Sequence, residues 1–323
     1  MKAALERWLQ ERWYGGERPG IGLRALAGLH RALREARPAA TPIRLPVPVL
    51  VVGNFTAGGT GKTPLVIALA RHFAARGLRP GIVSRGHGRR SSAQVRVAMD
   101  TPAAECGDEP KLIFERTGVP VIVDSDRVAA ARAAMAAGCE LVIADDGLQH
   151  RRLVRDVEIE VVDGPRGYGN GLLLPAGPLR ERPRPVDFTV VNGEPSMLQP
   201  TASSWSMRLE LGDAIPLDPR VDNRRTLREF AGASVHAVAG IGNPERFFQA
   251  LRGEGLSLLP HVFGDHHAYA RLDFEAIGRP ILMTEKDAVK CRALGIGRAW
   301  AVPVEARLDS AFFAAVEHRL GTR

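Results

Sequence analysis

The chain has 323 residues, 45% of them hydrophobic and 25% charged, enough to bury a large core and to form about two domains. Its net charge is +8 with arginine far ahead of lysine, which points to an anionic partner: a nucleotide, a phosphorylated substrate, nucleic acid or an anionic membrane surface. The few aromatics do not interleave with a basic patch, which argues against single strands held by stacking; three scattered cysteines (Cys106, Cys139, Cys291) lack metal spacing and fit a reducing cytosol; no secretory leader and no bilayer-spanning apolar run are expected.

Residues 1–37 form the first distinct segment. Leu5, Trp8, Leu9 and Trp13 share one helical face, and after a Gly/Pro break at 15–20 the spacing resumes with Leu23, Leu26 and Leu33. Eight Lys/Arg stand against four Glu. A basic, Trp-bearing amphipathic helix suits a membrane interface. The same pattern equally suits a helix docked on the protein's own core.

The stretch Val49–Thr63 carries the strongest signal. An apolar strand ends at Gly53, a glycine-rich loop closes on Gly61-Lys62-Thr63, and a helix begins near Leu65. This is the order of a P-loop. Backbone N–H groups of Thr56, Ala57, Gly58, Gly59, Thr60 and Gly61 are expected to cradle phosphates at a helix N-terminus. Lys62 is expected to reach the β/γ-phosphates and the Thr63 hydroxyl to hold Mg²⁺. Thr56 stands where the usual pattern has its first glycine, so the loop is a variant.

Gly81–Ser84 reads as a strand, and the basic turn Arg85–Arg90 after it should open beside the P-loop as an anion-contacting loop. Asp108 and Glu109 sit at a helix start, where spacing alone favours simple caps. Val119–Val123 is a second buried strand and Val128–Ala137 an alanine-rich helix. Leu141–Ala144 is an apolar strand running into Asp145-Asp146, a Walker-B-like end whose carboxylates can hold Mg²⁺ or its waters; Gln149 and His150 leave the same edge. Ile159–Val162 and Phe188–Val191 are strands flanking a long Gly/Pro loop, 164–178, that ends in Leu179-Arg180-Glu181. Long loops inside compact domains are usually functional.

The texture changes at 195–225, where the domain boundary is placed; Trp205–Leu211 alternates like an exposed strand. Beyond it come strands at Val235–Ala239, Leu256–Val262, Pro280–Thr284 and Ala299–Val304, helices at Glu245–Arg252 and Asp309–Leu320, and the turn Asp265-His266-His267. A lone His at a strand end is more often a surface residue than a catalyst.

In order along the chain, Gly53-Asn54…Gly58-Gly-Thr-Gly-Lys-Thr-Pro64, Ser84-Arg-Gly86, Gly107-Asp-Glu-Pro110, Asp145-Asp-Gly-Leu-Gln-His150, Leu174-Pro-Ala-Gly-Pro-Leu-Arg-Glu181, Asp265-His266 and Thr284-Glu-Lys-Asp-Ala-Val-Lys290 resemble the tetraacyldisaccharide 4′-kinase family. The resemblance runs from about Trp8 nearly to the end. It departs at Arg182, where the family commonly has Pro, and it is poor over 195–225. It implies a P-loop NTPase-type three-layer α/β/α domain (38–204, with 1–37 facing a membrane) and a second, smaller α/β/α domain (205–323) joined by strand linkers. It implies ATP- and Mg²⁺-dependent phosphorylation of the 4′-hydroxyl of an acylated glucosamine disaccharide 1-phosphate, at the cytosolic face of a Gram-negative inner membrane, with no nucleic-acid partner. By position Asp108 matches the general base and His266 its dyad partner, reversing the bland reading of both. Thr63, Asp145 and Asp146 match the Mg²⁺ region, and Gln149, His150, Arg180 and Glu181 the acceptor's head group. A P-loop switch or metal-chaperone NTPase, hydrolysing nucleotide alone, is the alternative.

Overall fold

A computed structural model describes residues 2–16, 19–36, 41–195, 201, 203–218, 220–221 and 223–321, without the side chains of 2–7 and 33–35. The side chains of Leu5 and Leu33, expected on the N-terminal apolar faces, therefore lie outside the described residues. Two helices open the chain, α1 (Lys2–Tyr14) and α2 (Ile21–Glu35), on either side of the expected break. The strands β1 (Val49–Gly53), β2 (Pro80–Ser84), β3 (Val95–Arg96), β4 (Val121–Val123), β5 (Leu141–Asp145), β6 (Val157–Asp163), β7 (Phe188–Asn192) and β8 (Ser204–Leu211) follow. Between them lie α3 (Lys62–Ala75), α4 (Ala103–Cys106), α5 (Asp108–Thr117) and α6 (Arg127–Ala136). The rest comprises β9 (Ile215–Pro216), β10 (Ser234–Ala239), α7 (Pro244–Gly253), β11 (Ser257–Val262), β12 (Ile281–Thr284), α8 (Glu285–Cys291), β13 (Ala299–Val302), β14 (Val304–Arg307) and α9 (Ser310–Leu320).

Two mixed sheets organise these elements. The larger has nine strands in the order β14-β8-β7-β6-β1-β5-β2-β4-β3, and the smaller five in the order β11-β10-β12-β13-β9. β1, all five residues buried, pairs in parallel with β5 and β6. Its residues alternate: Leu50 and Val52 pack with α3, α5 and α9, whereas Val49 and Val51 pack with α6. A strand apolar on both faces must be covered on both faces, which dictates helix layers above and below. α3 forms because Leu65, Val66, Leu69, Ala70 and Phe73 recur on one buried face. Pro64 falls in its first turn, where no backbone donor is lost. The alanine-rich α6 starts on Asp126, whose carboxylate accepts from the N–H groups of Val128 and Ala129.

The expected boundary at 204/205 cuts into β8. That strand pairs in parallel with β7 and buries Met207 in the large core, so it belongs to the first sheet. The single strand expected at Ala299–Val304 is interrupted at Pro303. β13 stays in the small sheet, whereas β14 crosses to pair antiparallel with β8. A proline cannot donate to a ladder, so it marks the point where the chain changes sheets. α9 then returns to the large core through Phe312 and Val316. β8 and β14 are the linkers, and the small lobe is an insertion between them.

Candidate active site

A cavity of about 480 Å³ lies between the two lobes. The P-loop residues Gly58–Thr63 line one wall, with Glu109, Asp145, Asp146 and Arg180; Gly242, Asn243, Arg246, Asp265, His266 and Lys286 of the small lobe line the other. β1 and β5 end side by side and deliver Gly53 and Asp145 to the carboxyl edge of the sheet, where open α/β sheets bind ligands.

Gly61 caps α3 with φ +97, a left-handed conformation. A Cβ there would lie 2.5 Å from Nδ2 of Asn192, which donates to the Thr60 carbonyl at 2.9 Å. Arg246 reaches across from α7 and donates to Asn192 Oδ1 (2.7 Å) and Asp163 (3.2 Å). The loop is thus braced from beneath by groups from both lobes. Thr56 and Ala57 are buried or half-buried and fasten the loop to the 178–179 segment, where Ala57 N–H donates to the Pro178 carbonyl at 2.7 Å. They do not line the cavity as expected of phosphate ligands, because the chain bends into it only from Gly58.

Lys62 Nζ donates to Asn54 Oδ1 at 2.9 Å and stands 3.5 Å from Asp146 Oδ1. Arg180 grips both oxygens of Asp146 at 2.9 and 2.8 Å. These two adjacent carboxylates are pushed apart. Burial works to raise Asp146, but Lys62 and Arg180 outweigh it and hold the group well below the usual carboxylate range. Asp145 is raised to about 7 by burial, then by Glu109 and Asp146. Ser84 Oγ donates to its Oδ2 at 3.2 Å. Asp146 also holds a positive φ of 52°, as does His266 at 58°, and such outliers persist only where surrounding structure over-determines them.

The hard oxygen donors Thr63, Asp145 and Asp146 face one cavity, and the raised Asp145 marks negative charge that a cation would relieve. That donor set fits Mg²⁺ shared with phosphates.

Asp108 does not cap its helix. Gly107 occupies the cap position without a side-chain bond. A Cβ on Gly107 would lie 3.0 Å from the Cα of Gly86, so the two glycines let the turn after β2 and the start of α5 touch. This turns the Asp108 carboxylate toward the small lobe, where its Oδ2 lies 3.1 Å from His266 Nδ1. Burial alone would raise Asp108. The His266 hydrogen bond, then Lys290 and Lys286, outweigh it, so the carboxyl sits below its ordinary range. The His87 ring stands 5.2 Å from that of His266, and burial and His266 lower its pKa.

Gln149 Nε2 donates to the Asn54 carbonyl (3.0 Å) and to Glu181 (3.2 Å). His150 is half-buried, its pKa lowered by burial and by Arg127. Arg85 is exposed just past β2 and does not line the cavity. Asn192, Arg246, Lys286 and Lys290 were not singled out from the sequence. Asn192 and Arg246 join the site across long sequence separations. Lys286 and Lys290 lie in the run Thr284–Lys290, whose two lysines one helical turn apart were the available signal.

A glycine-rich loop at a parallel sheet's carboxyl edge, with a Lys–carboxylate cluster under it, defines a P-loop nucleotide-binding protein of two lobes. The family model for tetraacyldisaccharide-1-P 4′-kinase (LpxK) matches residues 21–321. A tetraacyldisaccharide 4′-kinase of Stenotrophomonas maltophilia is 49% identical over 95% of each chain. One of Xanthomonas euvesicatoria is 53% identical over 86% of this chain and 84% of its own. A crystal structure of LpxK from Aquifex aeolicus in complex with ATP superposes with a TM-score of 0.72 at 26% identity, covering 92% of this chain and 96% of that one. The chain belongs to the tetraacyldisaccharide 4′-kinase family.

Proposed function

We propose that this protein transfers the γ-phosphate of ATP to the 4′-hydroxyl of a tetraacyldisaccharide 1-phosphate, the activity for which its relatives are named. The observation that carries the reading is the Asp108–His266 contact, made across the lobes beside the P-loop cavity. Phosphoryl transfer needs positioning and charge neutralisation more than covalent chemistry. Gly58–Gly61 and Lys62 bind and neutralise the triphosphate. Thr63 and Asp145, with Asp146 alongside, are the residues that would hold Mg²⁺, which would supply further charge neutralisation of the triphosphate when bound. Asp108 takes the proton of the sugar hydroxyl as its oxygen attacks the γ-phosphorus and ADP leaves, while His266 orients the carboxylate. The hydrogen-bonded pair Gln149–Glu181, with His150, Arg85 and Arg180, faces the acceptor's polar head. The nucleotide lobe consists of the nine-stranded sheet with its helices, and the small lobe closes over it.

The N-terminal helices divide two tasks. α1 docks on the protein: Trp13 Nε1 donates to the Pro175 carbonyl at 3.0 Å and Gln10 Nε2 to the Gly242 carbonyl at 3.1 Å. α2 presents Ile21, Leu26 and Leu29, which are 86%, 53% and 57% exposed. No helix among the described residues is long and apolar enough to cross a membrane. An apolar stripe of this size beside Arg24 and Arg31 fits an anionic bilayer surface, on the cytosolic face of a bacterial inner membrane, where an acylated substrate resides. Replacing Ile21, Leu26 and Leu29 together by Ser should reduce sedimentation with anionic vesicles by at least about tenfold, since about 1.4 kcal/mol suffices for that and each buried methylene contributes about 0.8 kcal/mol. Turnover on a detergent-dispersed acceptor should persist, and unchanged vesicle binding would return α2 to a merely structural part.

The reaction is tested with ³²P-labelled ATP, Mg²⁺ and the dispersed disaccharide 1-phosphate. Label is expected in the lipid. Release only as free phosphate at a rate indifferent to lipid would favour the switch-type NTPase.

A further inference from the structure

The carboxylate of Asp108 has a second partner besides His266. Lys290 Nζ, from α8 of the small lobe, lies 3.6 Å from the same Oδ2. Its side chain is 11% exposed and lies 4.9 Å over the ring of Tyr269. The same ammonium stands 3.1 Å from Oδ1 of the wholly buried Asp287, one turn earlier. Asp287 is itself fixed: its Oδ2 accepts from Gly240 N–H at 2.9 Å and from Thr284 Oγ1 at 2.6 Å. Lys290 Nζ meets both carboxylates at ion-pair distance, yet neither contact has hydrogen-bond geometry among the described residues.

A cation buried between two anions, with no hydrogen bond to either, acts through its charge. Asp287 Oδ2 already serves the β10 turn and the α8 cap, which leaves its Oδ1 to face the ammonium. The same charge also acts on Asp108 at 3.6 Å. We propose that Lys290 is a positioning residue for phosphoryl transfer, its ammonium anchored on Asp287 and serving as the counter-charge that ties the Asp108 carboxylate to the small lobe. The inference rests on Asp108 being the general base.

The neighbouring charges come from every side. On and beside α5 are Cys106, Glu109 and Lys111; from α8 come Lys286, Asp287 and Cys291; the loop after β11 supplies Asp265 and His266, and the turn after β2 supplies His87. Lys286 is already committed to Glu109 (3.1 Å) and Asp265 (3.2 Å). Cys106 is driven up to about 11 and Cys291 to about 12, in both cases chiefly by burial, so neither thiol is charged at neutral pH. Lys290 is thus the cation that Asp108 shares with Asp287. The consequence is kinetic. Asp108 is buried, and without a nearby cation its proton-bound form would be favoured.

The test is the pH profile of kcat from pH 4 to 9 for the full-length enzyme with ATP, Mg²⁺ and the dispersed disaccharide 1-phosphate. Lys290→Met should move the acid limb up by about 1–3 pH units, the range expected when an adjacent cation is lost. The loss of turnover should be largest at the acid end of the range and slight at pH 8.5, with KM for ATP changed by less than about twofold. Lys290→Arg should keep the limb in place. If Lys290→Met destabilises the fold by stranding Asp287, the double variant Asp287→Asn/Lys290→Met removes that buried charge and should still show the displaced limb. An equal loss at every pH, or no displacement in either Met variant, overturns the proposal. Asp108→Asn run in parallel separates the two readings. If it is inactive while the limb stays fixed, only the part given to Lys290 fails; if it remains active, the base assignment fails and this inference falls with it.

Discussion

Asp108→Asn should lower kcat by about 10²–10⁴, the usual contribution of a positioned general base. The substitution preserves shape and removes the site that accepts the proton. Asp108 contributes no wall to the nucleotide cavity, so KM for ATP should stay nearly unchanged. His266→Ala should cost less, because it leaves the carboxylate in place beside Lys290 and removes only the 3.1 Å contact that orients it. The measurement is transfer of label from ATP to the disaccharide under saturating nucleotide. A loss of less than about tenfold in Asp108→Asn would remove the residue from the base role. The acid limb also has a definite sign. Asp108 is held below its ordinary range by His266 and the two lysines against the opposing effect of burial. A base must be deprotonated, so wild-type turnover should persist below neutral pH and fall only as Asp108 itself becomes protonated.

Gly61→Ala should abolish productive nucleotide binding. The position has φ +97, a region costing an L-residue about 1–2 kcal/mol. The new methyl would also collide with Asn192 Nδ2 at 2.5 Å. Asn192 cannot yield cheaply, because it is fully buried, holds the Thr60 carbonyl and receives Arg246. Losing that brace leaves buried polar groups unpaired at roughly 1–3 kcal/mol. We expect a lowered Tm and a fall of at least ~10² in kcat/KM, since displacing a phosphate cradle by an ångström has effects of that size. Equilibrium binding of a fluorescent ATP analogue separates the cradle from the fold: a variant that still melts cooperatively but binds nucleotide normally would contradict the bracing argument. Gly77, also at positive φ but with open space around its Cβ position, makes a control in which strain acts without the collision.

The two substitutions probe different halves of the same device. Gly61 lies in the P-loop wall of the cavity, and Asp108 lies beside it against His266 of the small lobe. The small lobe touches both. Arg246 braces the loop's support from α7, while His266 and Lys290 reach Asp108 from the β11 turn and α8. A further contact lies at α5–α8, where Arg116 pairs with Glu285 of α8 and Glu305 of β14. The small lobe therefore contributes both to the support of the P-loop and to the surroundings of Asp108.

The residue order alone determined the P-loop. Strand, glycine loop, Lys62-Thr63 and helix are local, and local spacing is all that a phosphate cradle requires. It determined equally the paired carboxylates at the end of β5 and the amphipathic character of the first 37 residues. Motif order also placed the chain in its family. The tertiary structure decided what depends on distant contacts. Spacing alone made Asp108 an ordinary cap and only the resemblance gave it a catalytic part; the Gly86–Gly107 approach is what turns it away from its own helix. Thr56 and Ala57 looked like phosphate ligands until the chain's path fastened them to residues 178–179. β8, β14 and α9 looked like parts of the second domain until Met207, Phe312 and Val316 were found in the first core, and Pro303 explained the change of sheet. Lys290 had no assigned part, because its partner is more than 180 residues away and only folding gives them a shared environment. Chemistry that needs neighbours in sequence can be read in sequence; chemistry that needs a buried charge beside a carboxylate from another lobe exists only once both have left water.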